Sequence, residues 1–344
     1  MKKRGVGMAT FHYGIGNTGK PNPSSAFVEI LEDAGVLLLC GAADMGQGSS
    51  TTLAQIVATE LAVPLDRVTV RTADTLFTPE AGVSSGTRQT YVSGNACLAA
   101  ARQAKETILA AAAKGFFRTR SVDDLELRDG YVAVAGYPAE RCPVAEVVGW
   151  CRGRGQLIVG SGSFNPKNGA LDEETGQGEP YGAYAFGTQV AEVEVDTETG
   201  EITVLGVTAA HDLGAAVNPQ SAEGQIQGGV AMGLGYATME EVLTQGGTVL
   251  TPSLAEYMIP TALDVPAIET VLVEDADPSG PFGAKGIGEP PACPTAAAVA
   301  NAVYDAVGVR MTELPITAER VFLALAASGG RATASGGEPR SQKD

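Results

Sequence analysis

Three stretches of the chain alternate apolar and polar residues on either side of a turn. AFVEILEDAGVLLLCG (residues 26–41) predicts a hairpin turning at 33–35, and LELRDGYVAVAG (125–136) predicts two short strands about an Asp-Gly turn. VAEVEVDTETGEITVLGV (190–207) is the clearest, two strands about a Thr-Glu-Thr-Gly-Glu turn. Four other stretches repeat their apolar positions at helical spacing: SSTTLAQIVATELAV (49–63), NACLAAARQAKETILAAAAKG (95–115), CPVAEVVGWCRG (142–153) and CPTAAAVANAVYDAVG (293–308). Strands and helices mix without strict alternation, which points to an α+β fold. The turn-rich stretch SGSFNPKNGALDEETGQG (161–178) suggests a boundary, so two α+β subdomains are expected over residues 1–165 and 166–328. The small, polar, aperiodic end of the chain, residues 329–344, is expected to be a disordered tail.

Composition narrows the function. A hydrophobic content of 44% over 344 residues suffices for a packed core. The formal net charge of -17 argues against nucleic acid or an anionic membrane as partner, since both require clustered Lys and Arg. No apolar run reaches signal-peptide or membrane-spanning length, and a cytoplasmic location is expected. Cys40, Cys97, Cys142, Cys151 and Cys293 are widely spaced, and His12 and His211 are the only histidines. A disulfide framework, a CxxC iron–sulfur site or a zinc site held by side chains is therefore not expected.

The 44 glycines exceed the usual ~7% and gather beside polar residues. The clusters are DMGQGSS (44–50), GVSSGTRQTYVSGN (82–95), EGQIQGGVAMGLG (223–235) and GPFGAKGIGE (280–289). Glycine lets main chain approach a ligand closely, so four such clusters suggest a large polar cofactor wrapped by backbone. None is a P-loop or a dinucleotide fingerprint. Thr87, Arg88 and Gln89 stand just ahead of the helix predicted from residue 95, where they either hold a phosphate or simply cap the helix. Gln47 either offers its amide to a heterocycle or sits in a tight turn capped by Ser49 or Ser50. Gln225 and Gln227 lie about 200° apart on a helix, so at most one faces a site. His211 reads as a hydrogen-bonded structural histidine.

Together, DMGQGSSTTLAQIVATELAVPLDRVTV, SSGTRQTYVSGNA, AAHDLGAAVNPQSAEGQIQGGVAMGLGYATMEE and GPFGAKGIGEPPACPTAAAVANAVYDAVG resemble the molybdenum-cofactor-binding subunit of the xanthine dehydrogenase/aldehyde oxidase family. The resemblance covers the second half of that family's large subunit and is similar to the split arrangement of nicotinate dehydrogenase-type hydroxylases. It implies molybdenum held by the dithiolene of a molybdopterin rather than by side chains, and leaves open whether the pterin carries a cytosine dinucleotide. It implies pterin contacts at Gly46, Gln47 and Gln225, with Ser84, Thr87, Arg88 and Gln89 around the phosphate or nucleotide end. Lys285, Gly286, Ile287 and Gly288 would line the loop leading to the metal. Glu289 matches the family's catalytic glutamate, a general base for water-derived hydroxylation of an electron-poor carbon. The implied partners are a first-half molybdenum subunit, a [2Fe-2S] subunit, an FAD subunit and a small-molecule substrate. Two alternatives belong beside this reading: reductive dehydroxylation of the hydroxybenzoyl-CoA reductase kind, and a non-catalytic cofactor-binding subunit. Some relatives place an aromatic near Gly14 to Thr18 to sandwich a flat substrate; this chain has Gly-Ile-Gly-Asn-Thr there, which puts a purine-type clamp in doubt.

Overall fold

The computed structural model describes residues 1–332. In chain order the elements are β1 (Lys2–Gly14), β2 (Ser24–Ile30), β3 (Val36–Cys40), α1 (Ser49–Leu61), β4 (Val68–Thr72), α2 (Gly94–Gly115), β5 (Leu125–Arg128), β6 (Tyr131–Val134), β7 (Tyr137–Pro143), α3 (Val144–Arg152) and β8 (Ile158–Phe164). There follow β9 (Tyr184–Asp196), β10 (Ile202–Asp212), α4 (Pro219–Thr238), the two-residue strands β11 (Thr244–Gln245) and β12 (Thr248–Val249), β13 (Ala267–Val273), α5 (Thr295–Val307) and α6 (Ala318–Ala332). The fold is α+β. All three hairpins form, with Ala26 opposite Cys40, Leu125 opposite Val134 and Ile202 opposite Val195. All four expected helices form as well, and Gly308 ends α5 at φ 73°, a left-handed stop that suits glycine.

Two cores result. The first lies between a sheet ordered β4-β3-β2-β8 and helices α1 and α2, with α3 and the small sheet β5-β6-β7 at its side. The second lies between a sheet ordered β1-β9-β10-β13 and helices α4 and α5. Sheet membership crosses the expected division at residue 165, because β1 pairs along its whole length with β9. Helix α6 runs to Ala332 and so overlaps the first residues of the expected tail; the rest of that tail lies outside the described residues.

Both cores use the same contact. A Cβ on Gly160 or Gly162 of β8 would come within 2.0 or 2.2 Å of the carbonyl oxygens of Ala100 or Ala96 on α2. A Cβ on Gly7 of β1 would lie 2.0 Å from the backbone nitrogen of Ala302 on α5. Glycine on the strand and alanine on the helix bring main chain to main chain, which a larger residue on either side would prevent. Among the described residues, no helix is long and apolar enough to cross a membrane.

Candidate active site

The segment 280–289 crosses from β13 toward α5 and is strapped to the chain just after β10. The Lys285 N–H donates to the Leu213 carbonyl at 2.8 Å, and the Ala215 N–H donates to the Gly283 carbonyl at 2.9 Å. Gly214, at φ 65°, permits this approach, since a Cβ there would sit 2.1 Å from the Gly283 oxygen. The Lys285 ammonium turns inward to Asp212, Nζ to Oδ2 2.6 Å, with both side chains almost fully buried. After Glu289 the prolines enter a short helical turn over Pro290–Ala292 that leads into α5. That turn is braced from beneath. The Gln189 side-chain amide donates to the Pro291 carbonyl at 2.7 Å and lies 3.2 Å from His211 Nε2, while its oxygen accepts from the Thr295 hydroxyl at 2.7 Å. His211 is a structural group, as its sequence context suggested; burial pushes its pKa down to about 4, so it is neutral with Nε2 as the acceptor.

Glu289 stands where this braced segment meets both cores. Its Oε2 accepts from the Tyr13 hydroxyl at 2.7 Å and from the Thr87 hydroxyl at 2.9 Å. Its Oε1 accepts from the Gly86 N–H at 3.1 Å, and its own N–H donates to Thr87 Oγ1 at 3.1 Å. Tyr13 ends β1 in the second core, whereas Gly86 and Thr87 lead into α2 in the first. The residue is exposed on the face this chain presents. A carboxylate has about four lone-pair directions. Among the described residues both on Oε2 are engaged, while Oε1 has a single donor.

Beside it opens a cavity of about 260 Å³, lined by Gln47, Ser84, Thr87, Arg88, Gln89, Gln225, Lys285, Gly286, Ile287, Gly288 and Glu289 among others. Of the site residues expected from sequence, Gly46 alone stays off this wall; it sits at φ 104° with open space where a Cβ would project. Gln225 lines the cavity while Gln227 is exposed and does not. The cavity fits a bulky polar group in one respect above all: the N–H groups of Gly286, Ile287 and Gly288 have no acceptor among the described residues. Three consecutive free donors suit the acceptor-rich edge of a ligand or an anion. Gly286 must be small, because a Cβ there would meet the Thr87 carbonyl oxygen at 1.9 Å. Among the described residues, no group of three or more His, Cys, Asp or Glu side chains is gathered to hold a metal ion.

Several side chains at the wall have their polar atoms engaged internally. All five Arg88 donors are used: Nε on Asn22 Oδ1, Nη1 on the Ala81 and Val83 carbonyls, Nη2 on the Asn22 and Pro23 carbonyls. Burial lowers its pKa, and the ring of acceptors offsets that cost. Its guanidinium therefore anchors the loop and leaves no N–H for a phosphate. Gln89 donates to the Val83 carbonyl and Ser84 Oγ and accepts from Ser93. The Gln47 amide folds back on the Ala43 carbonyl and Ser49 Oγ. Neither Ser49 nor Ser50 caps α1; Asp44 does, taking the N–H groups of Gly46, Gly48 and Ser50. The helical run behind Thr87 also begins earlier than expected. A π-helical turn over Gln89–Ser93 joins α2 without a break and brings the helix start to the cavity rather than to residue 95.

Sequence reasoning missed Tyr13, Gly86 and Asp44. A polar aromatic ending an alternating strand just before glycine, in FHYGIG, is the signal that marks Tyr13. Gly86 and Asp44 act through a main-chain N–H and a local cap, which residue type does not announce.

The family model for the molybdopterin cofactor-binding domain matches residues 1–266. The chain is 34% identical over 325 residues to the xanthine dehydrogenase molybdenum-binding subunit of Escherichia coli O157:H7, covering 93% of this chain and 42% of that protein. It is 33% identical over 331 residues to the aldehyde oxidoreductase of Megalodesulfovibrio gigas, covering 94% and 33% respectively. Among solved structures, quinoline 2-oxidoreductase from Pseudomonas putida 86 superimposes with a TM-score of 0.85 at 31% identity, over 94% of this chain and 42% of that one. The chain thus spans less than half the length of each of these relatives. It belongs to the xanthine dehydrogenase/aldehyde oxidase family of molybdopterin-binding subunits.

Proposed function

We propose that this chain is the cofactor-binding and base-supplying subunit of a molybdenum hydroxylase acting on an electron-poor carbon of an N-heterocycle or an aldehyde. The substrate class is supported by the names of the relatives, a xanthine dehydrogenase, a quinoline oxidoreductase and an aldehyde oxidoreductase. The free N–H groups of residues 286–288 and the side chain of Gln225 would hold the molybdopterin, with Ser84 and Thr87 at the same wall. When bound, that group supplies molybdenum held by its own dithiolene sulfurs, a two-electron acceptor that activates a water-derived oxygen.

The observation that carries the reading is the unequal loading of the Glu289 oxygens. Oε2 is tied by two hydroxyls, so the carboxylate is oriented; Oε1, at the cavity rim, has a single donor among the described residues. Glu289 takes the proton of the water-derived hydroxyl at Oε1 as the new carbon–oxygen bond forms. Overall, substrate and water yield hydroxylated product, two protons and two electrons. The electrons pass to a [2Fe-2S] subunit and an FAD subunit, and the part of the relatives that this chain does not cover completes the substrate pocket in a cytoplasmic complex.

Glu289→Gln, purified in the assembled enzyme, is expected to keep its molybdenum and pterin while kcat falls about 100-fold or more, the scale of lost general-base catalysis. Near-parental turnover in that variant overturns the reading and favours a purely cofactor-binding role.

A further inference from the structure

We propose that Tyr13 is the positioning residue of Glu289, the group that aims Oε1 at the reacting atoms; this rests on the reading of Glu289 as the base. Tyr13 stands at the end of the edge strand β1, where its half-buried ring reaches out of the second core toward the first. Its 2.7 Å bond to Oε2 is, among the described residues, the one side-chain hydrogen bond that ties the carboxylate to the second sheet. The other two donors, Thr87 Oγ1 and the Gly86 N–H, come from a single short loop. With those two alone the carboxylate is held from one side only. The Tyr13 hydroxyl adds a donor from a second, independent direction and clamps the carboxylate between the two sheets.

The surroundings of Tyr13 are built to keep it there. A Cβ on Gly14 would lie 2.1 Å from the Tyr181 ring, so that ring packs directly against the end of the strand, and the Tyr181 hydroxyl is hydrogen-bonded to Thr18. The Gly16 N–H donates to the Gly86 carbonyl at 2.7 Å, which ties the segment following Tyr13 to the very loop that supplies the other donors. The phenol also remains a donor at any working pH: burial, then the hydrogen bond to Glu289, raises its pKa above the ordinary tyrosine value. The structure thus places a permanent donor on the oxygen that does not do the chemistry.

The test is Tyr13→Phe in the assembled enzyme, with 3-fluorotyrosine at position 13 as a second variant that keeps the hydroxyl and makes it a stronger donor. Infrared difference spectra of 13C-glutamate-labelled subunit locate the Glu289 carboxylate bands by their loss in Glu289→Gln. Tyr13→Phe is expected to move the antisymmetric stretch to higher frequency and to lower kcat about 10-fold, on the scale of one hydrogen bond to a charged group, with KM changed less than about 2-fold. The fluorinated variant is expected to move the band the opposite way. Unchanged bands in both variants, or a loss confined to KM, overturn the proposal. If Tyr13→Phe assembles poorly, the fluorinated variant decides. Full activity in Glu289→Gln would instead remove the general-base reading, while the band shift would still report whether Tyr13 holds the carboxylate.

Discussion

The loops at 44–50 and 286–288 look alike in sequence, each a glycine-rich run beside polar residues, and they behave in opposite ways. In the first, Asp44 consumes the N–H groups of Gly46, Gly48 and Ser50, and Gln47 bonds to its own loop. In the second, three successive N–H groups have no acceptor among the described residues and line the cavity beside Glu289. Their glycines differ too: Gly46 has open space around the missing Cβ, while Gly286 is pressed against Thr87. Glycine content marks where main chain is tight or strained. Only the fate of the N–H groups says whether a ligand is expected there.

Methyl groups placed at the two glycines would break this contrast most sharply. Gly286→Ala forces the Thr87 loop to move, costing about 1–3 kcal/mol by overpacking, which corresponds to roughly 5- to 150-fold in cofactor affinity. Gly46→Ala meets no atom and should cost only backbone strain, about 1–2 kcal/mol of stability, with pterin content unchanged. Pterin content and thermal stability measured on both variants check the pair; equal loss of pterin in both would erase the distinction.

The bracing beneath the second loop has a pH signature of intermediate size. His211 is pushed down to about 4 by burial, below its ordinary 6.5, so it stays neutral in the fold while the unfolded chain takes up a proton. Its contribution is intact above about pH 6.5 and is lost progressively as pH falls toward 4, up to about 3 kcal/mol. His211→Gln should flatten that part of the acid slope in denaturant titrations, and an unchanged slope would show that His211 does not set it.

The smallest effect is expected at the first loop. Burial works against the charge on Asp44, but the N–H groups of Ser50, Gly46 and Gly48 outweigh it and hold its pKa below the usual carboxylate range. Asp44→Ala should cost about 1 kcal/mol, as for a lost helix cap, with kcat unchanged. A large fall in kcat would mean that this loop touches the chemistry after all.

The hairpins about Asp33, Asp129 and Thr197 and the helices at 49, 95, 144 and 295 were legible because each depends on a local period and a local stop. The four glycine clusters and the lone carboxylate of Glu289 were legible for a similar reason, since composition and motif are linear properties. Tertiary structure decided the rest. It carried β1 across the chain to pair with β9, and so delivered Tyr13 to a glutamate 276 positions away. It also turned Arg88 inward onto five acceptors and left the N–H groups of residues 286–288 open. A hydrogen-bonding group is available for function only if folding has not already supplied its partner, and that partner usually comes from a distant part of the chain.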